Sequence, residues 1–116
     1  MTPGDFVARL PIEVPEAEYV LAEHRADYGD VLPHLLTSDL LRLAIELFER
    51  GHNEPVGRLL GFIDHALREG DEALQNAIAV SFVEDACWDD PASEPFIAIW
   101  PQGLQTEVER QRSWRP

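Results

Sequence analysis

Lysine is absent from this 116-residue chain: its nine basic residues are all arginine, set against 22 acidic residues for a formal net charge of −13. That balance excludes the clustered cationic face that nucleic acid or an anionic membrane surface requires. It favours a cationic partner, or simply solubility. Arginine without lysine is the usage of a GC-rich coding sequence and points to a bacterial source. Cysteine is nearly absent too. Cys87 has no second cysteine to form an internal disulfide with, which fits a reducing cytoplasm, and its place in AVSFVEDACW makes it a candidate small core residue. No window reaches the roughly eighteen uninterrupted apolar residues of a membrane span. MTPGDFVARL also lacks the cationic flank and apolar stretch of a signal peptide. The expectation is a cytoplasmic protein without membrane insertion.

Chemistry-bearing motifs are equally sparse. There is no HExxH, CxxC or DxD signature, no GxSxG and no glycine-rich phosphate loop. The four histidines, His24, His34, His52 and His65, include no pair at i,i+4 spacing that would share a helix face. No metal, cofactor or catalytic residue is therefore assigned. His34, within LPHLL, reads as a hydrogen-bonded core residue, and His65 as a solvated one. Ser81 lies in an apolar helix with no base near it in sequence.

What is present is a helical pattern. A hydrophobic content of 45% supports one core over residues 1–116. A first clear helix is predicted from an N-cap at Ser38 through DLLRLAIELFER to Gly51. Arg42, Glu46 and Glu49 would form its polar stripe, with Arg42/Glu46 and Glu46/Arg50 pairs. Asn53 would cap a second helix ending at Gly70. In it Val56, Leu59, Leu60, Ile63, Ala66 and Leu67 oppose Arg58, Asp64, His65 and Arg68. Asp71 would cap a third, EALQNAIAVSFVEDACW, apolar on nearly every side, buried at Ile78, Val80 and Phe82 and closed by Pro91. A helix is expected from about Glu16 to Tyr28, a short turn at VLPHLL, helix or strand at PFIAIW, and a terminal helix at GLQTEVERQR. The predicted fold is all-α: a compact antiparallel bundle of about five to six helices with HEAT-like hairpins.

Two features stand out. At 100° per residue, Glu84 shares a face with Ala73, Ala77, Val80 and Trp88, which predicts a buried, paired carboxylate. Glu84, Asp85, Asp89, Asp90 and Glu94 also crowd into an arginine-free stretch flanked by Trp88 and Trp100. Carboxylates rimming aromatic anchors match an interface for a basic partner, and a solvated acidic loop is the alternative.

The run EHRADYGDVLPHLLTSDLLRLAIELFERG, then GDEALQNAIAVSFVEDA and an acidic proline-containing loop, resembles small acidic helical proteins of bacteria. Some of these are similar to immunity proteins of polymorphic or contact-dependent toxin systems. The resemblance spans roughly Glu16 to Gln105 and implies a helical, toxin-neutralising protein, without supplying catalytic residues. The leading expectation is an immunity or antitoxin-like protein that binds a basic toxin domain and occludes its active site. The alternatives are a helical adaptor, or a small helical hydrolase in which His24 or His34 approaches Glu84.

Overall fold

The computed structural model describes residues 1–114, which form seven α-helices joined by short turns, without a strand among the described residues. The expected all-α bundle is present, with seven helices against the five to six of the pattern. Among those the pattern missed, α1 (Pro3–Glu13) starts from a reciprocal cap: Thr2 Oγ1 accepts from the Asp5 amide, and the Asp5 carboxylate accepts from the Thr2 amide. Pro3 occupies the first turn, where its missing N–H costs nothing. Phe6, Val7 and Leu10 are buried, and Phe6 stacks on Phe62 at 5.0 Å, which fastens α1 to the helix that carries Phe62.

A 3₁₀ turn at Pro15–Ala17 leads into α2 (Glu18–Tyr28), which ends at Gly29 with φ 75°, a left-handed conformation that favours glycine. Helix α3 (Pro33–Glu49) begins earlier than Ser38, because Pro33 at its first turn starts it. VLPHLL is thus the opening of α3, and Ser38 is an interior residue whose hydroxyl bridges to the segment around residue 81. Gly51, φ 74°, turns the chain into α4 (Asn53–Glu69), whose capping position is His52, with Asn53 the first helical residue. Arg42 pairs with Asp39 instead of Glu46, while the Glu46–Arg50 pair forms at 2.9 Å.

The third predicted helix is shorter and less buried than its composition suggests. Asp71 caps α5 (Glu72–Ile78) through the Leu74 amide as expected. The chain then passes through a π turn at Ala79–Val83 and a 3₁₀ turn at Glu84–Ala86, and stops at Cys87 with φ 55°. The buried face runs through Leu74, Ala77, Ile78 and Phe82, and the strip through Ala73, Val80 and Glu84 lies beside it in solvent, so the segment is one-sided and not buried all round. Ile78 and Phe82 are fully buried, but Val80 is 40% exposed and Glu84 lies in solvent, contrary to expectation. Cys87 is also exposed. Pro91 opens a further 3₁₀ turn, Pro91–Ser93, and PFIAIW contributes to α6 (Glu94–Ile97), so its ambiguity resolves to helix. The last helix, α7 (Gln102–Trp114), lies across α4 and the π turn.

Short connections make α3, α4 and α5 consecutive packed neighbours, with α1 and α2 lying against α4 and α3 respectively. Aromatic rings fill the far end. Phe82 meets Trp100 at 5.6 Å, Trp100 meets Phe96 edge-on at 5.6 Å, and Phe96 meets Phe48 at 5.4 Å.

One ion pair ties the outer layer to this core. Arg58 of α4 donates to both oxygens of Glu16, at 2.8 and 2.7 Å, and to Glu54 at 3.1 Å. The Arg58 hydrogen bonds hold the Glu16 carboxyl at about 2, below its ordinary 4.5. A carboxyl lowered on folding adds stability that is complete above 4.5 and fades as pH falls from there toward 2. Glu107 acts in the same direction. Its burial opposes ionisation, but hydrogen bonds from Arg110 and Gln111 outweigh it. Urea midpoints taken from pH 6 to about 2 are therefore expected to fall with acid, and Glu16→Gln to flatten that fall. An equally steep acid limb in the variant would show that the pair contributes nothing to stability.

Candidate functional site

The acidic stretch occupies the turns between α5 and α6. Glu84, Asp85, Asp89, Asp90 and Glu94 are all exposed. None of Glu84, Asp85, Asp90 and Glu94 is ion-paired among the described residues, whereas Asp64, Glu107, Glu16 and Glu46 each hold an arginine. Two of the acids have local tasks. Asp90 caps the Pro91–Ser93 turn through the Ala92 amide at 2.9 Å, and Asp85 accepts from Ser38 at 3.3 Å. These bonds leave the negative charges in place and stiffen the loop that carries them.

The aromatic half of the predicted site is absent from the surface. Trp88 is 7% exposed and Trp100 4%, so both are core residues and neither is an anchor. The Trp88 indole N–H donates to Gln111 at 2.7 Å, and the Arg112 guanidinium lies 5.1 Å from its ring centroid. Space also qualifies the arginine-free stretch of sequence, since α7 brings Arg110 and Arg112 to its Trp88 end. Arg110 is committed to Glu107 through bonds of 2.8 and 2.7 Å.

Gln111 is a residue the sequence gave no reason to single out. Its amide donates to the Ala79 carbonyl and to Glu107, each at 2.9 Å, while its oxygen receives the Trp88 indole. One side chain thus ties α7 to a carbonyl of the π turn and to the base of the acidic loop.

The histidines do not approach Glu84: among the described residues neither His24 nor His34 hydrogen-bonds it. His24 is buried. The Leu32 amide donates to its Nε2 at 2.9 Å, which leaves the proton on Nδ1 to reach Asp39 at 3.4 Å. His34 is exposed, not core, and its Nδ1 lies 3.0 Å from Ser81 Oγ. Together with the Ser38 bonds to the Ser81 carbonyl and Asp85, this places Ser, His and Asp side chains near one another. Ser81 is buried in the π turn, however, and Asp85 serves Ser38 instead of the imidazole, so the set acts as a strap from α3 to the acidic loop. His65, expected in solvent, is half-buried. No three metal-ligating side chains converge among the described residues, and no described helix is long and apolar enough to cross a membrane.

Two cavities lie along α7. The larger, about 1470 Å³, is an open groove between α4, α5 and α7, away from the acidic loop and flanked by the Arg68–Asp64 and Arg110–Glu107 pairs. The smaller, about 330 Å³, lies between the π turn and the end of α7, lined among others by Val80, Glu84, Trp88 and Trp114. No curated protein and no solved structure matches the chain. A family model described as a domain of unknown function (DUF7674) matches residues 7–115, and the chain belongs to that family.

Proposed function

We propose that this chain is a protein-binding domain that docks a basic protein partner on the acidic loop between α5 and α6, neutralising a toxin domain as an immunity protein would. The observation that carries this reading is the set of four exposed carboxylates, Glu84, Asp85, Asp90 and Glu94, that no described arginine neutralises. An unpaired acidic surface on a chain of net charge −13 repels anions and accelerates encounter with cations. The loop is held in shape from beneath by Gln111, Ser38 and the Asp90 cap, so little ordering entropy is lost on docking.

The test begins with capture of the partner from the source organism, followed by stopped-flow association against ionic strength. Reversing Asp85, Asp90 and Glu94 to lysine is expected to slow association about ten- to a hundredfold at low salt and to flatten its salt dependence. Thermal unfolding should show only the modest loss, about 1 to 2 kcal/mol, that comes from removing the Asp90 cap and the Ser38–Asp85 bond, and the association rates are compared at temperatures where both proteins are folded. A triple variant that associates as fast as the parent would make the acidic loop a solubility feature. Co-expression with a toxin-like neighbouring gene product tests the immunity role itself, since rescue of growth is required by it.

A further inference from the structure

The smaller cavity beside the acidic loop has an unusual lining for a surface of this chain. Trp114 is 79% exposed, the most exposed of the large apolar residues described, and Val80 is 40% exposed, on the side of its helix away from buried Ile78 and Phe82. Glu84 also lines it, in solvent and without an ion-pair partner among the described residues. Asn76 adds an exposed side-chain amide, and the other polar groups are already committed. Arg110 is doubly bonded to Glu107, and Trp88 is engaged by Gln111 and Arg112. What the cavity offers a visitor is therefore one indole face, one carboxylate, the Asn76 amide and an aliphatic floor, within about 330 Å³.

We infer that this cavity takes a single guanidinium side chain of the partner, stacked on Trp114 and paired with Glu84. The inference rests on the basic-partner reading above and deepens it to one anchoring residue. Charge complementarity selects a cation, because an apolar visitor would leave the Glu84 carboxylate desolvated without compensation. Planarity selects arginine over lysine. A guanidinium is weakly hydrated, lies flat on an indole and presents a fork to a carboxylate, whereas an ammonium is a strongly hydrated point charge. The same corner already shows the stacking geometry, since Arg112 lies over the ring of Trp88.

The experiment titrates the full chain with tetra-arginine amide and, separately, tetra-lysine amide, by calorimetry and by tryptophan emission. Trp100 is buried away from the cavity and Trp88 is a buried part of its lining, so the larger share of a saturable emission change should originate at exposed Trp114 and be lost in Trp114→Phe. Tetra-arginine is expected to bind about tenfold more tightly than tetra-lysine, and Glu84→Gln to weaken it about tenfold. Glu94→Gln removes the same charge elsewhere on the acidic loop and is expected to change binding less than about twofold. Equal affinity for the two peptides, or equal losses in Glu84→Gln and Glu94→Gln, would mean diffuse attraction to the loop. That result overturns the pocket but leaves the basic-partner reading standing. Concentration-dependent dimerisation abolished by Trp114→Ala would assign the cavity to a second copy and likewise overturn it. The acid-reversed triple variant of the preceding section retains Glu84, so the two readings fail separately.

Discussion

Phe82→Ala is expected to remove about 3 to 5 kcal/mol of folding stability, the range for deleting a fully buried aromatic ring. Phe82 is wholly inaccessible and sits in the π turn, where α3 and α5 both pack against the segment that carries it. Its ring meets Trp100, and Trp100 in turn meets Phe96, so the void would open in the centre of an aromatic cluster with no flexible side chain to fill it. For a small domain whose total stability is of order 5 to 15 kcal/mol, such a loss is a large fraction. Urea unfolding followed by circular dichroism measures it, with Val80→Ala as the comparison. Val80 lies two residues away but is 40% exposed, and its truncation should cost below about 1 kcal/mol. Equal losses in the two variants would show that the segment is not one-sided.

That contrast also marks how far the sequence could be read. Capping residues with a local signature were legible: Asp71 begins α5 as read, and Gly51 and Gly29 take the left-handed φ that ends a helix. The amphipathic pattern of α4 gave its buried face at Val56, Leu59, Leu60, Ile63 and Ala66. Helix α1 was signalled by Thr2, Pro3 and Asp5, a capping box hidden by Gly4 and Pro11, which argue locally against a helix. Long-range bonds left no trace in the pattern. The π turn is coupled to Gln111 of α7 through the Ala79 carbonyl, and periodicity along α5 carries no record of a residue 32 positions away. For the same reason the sequence leaves Trp88 open between an anchor beside acids and a core residue; it is core, enclosed by a glutamine and an arginine from α7. Acidic residues on the loop were legible as a charge run, while their exposure and lack of arginine partners belong to tertiary structure.

The second large effect is expected at Asp64, which the helical pattern assigned to solvent and which is 6% exposed. Its Oδ1 accepts from the Leu104 amide at 2.9 Å, and its Oδ2 holds Arg68 Nε at 3.1 Å. Leu104 is in the first turn of α7, so a side chain of α4 caps that helix across a separation of 40 residues. A carboxylate is favoured there by the helix dipole as well as by the bond. Asp64→Ala strands the buried amide and frees Arg68, and should cost about 2 to 3 kcal/mol, the range for charged hydrogen bonds whose partner stays buried. Asp64→Asn keeps an acceptor and loses the charge, so its loss should be roughly half as large. Gly103 supplies an independent check, because a Cβ at that position would stand 2.5 Å from Asp64 Oδ1 and 3.2 Å from its Cγ. Gly103→Ala must therefore push the carboxylate off the Leu104 amide in the parent. In the Asp64→Ala background the obstructing oxygen is gone, and the same substitution should be nearly neutral. A double-mutant cycle measured by chemical denaturation is expected to give a coupling of about 1 kcal/mol or more between the two positions. Additive losses would mean that Asp64 does not cap α7, and that the helix is held against α4 by Leu104 and Val108 alone.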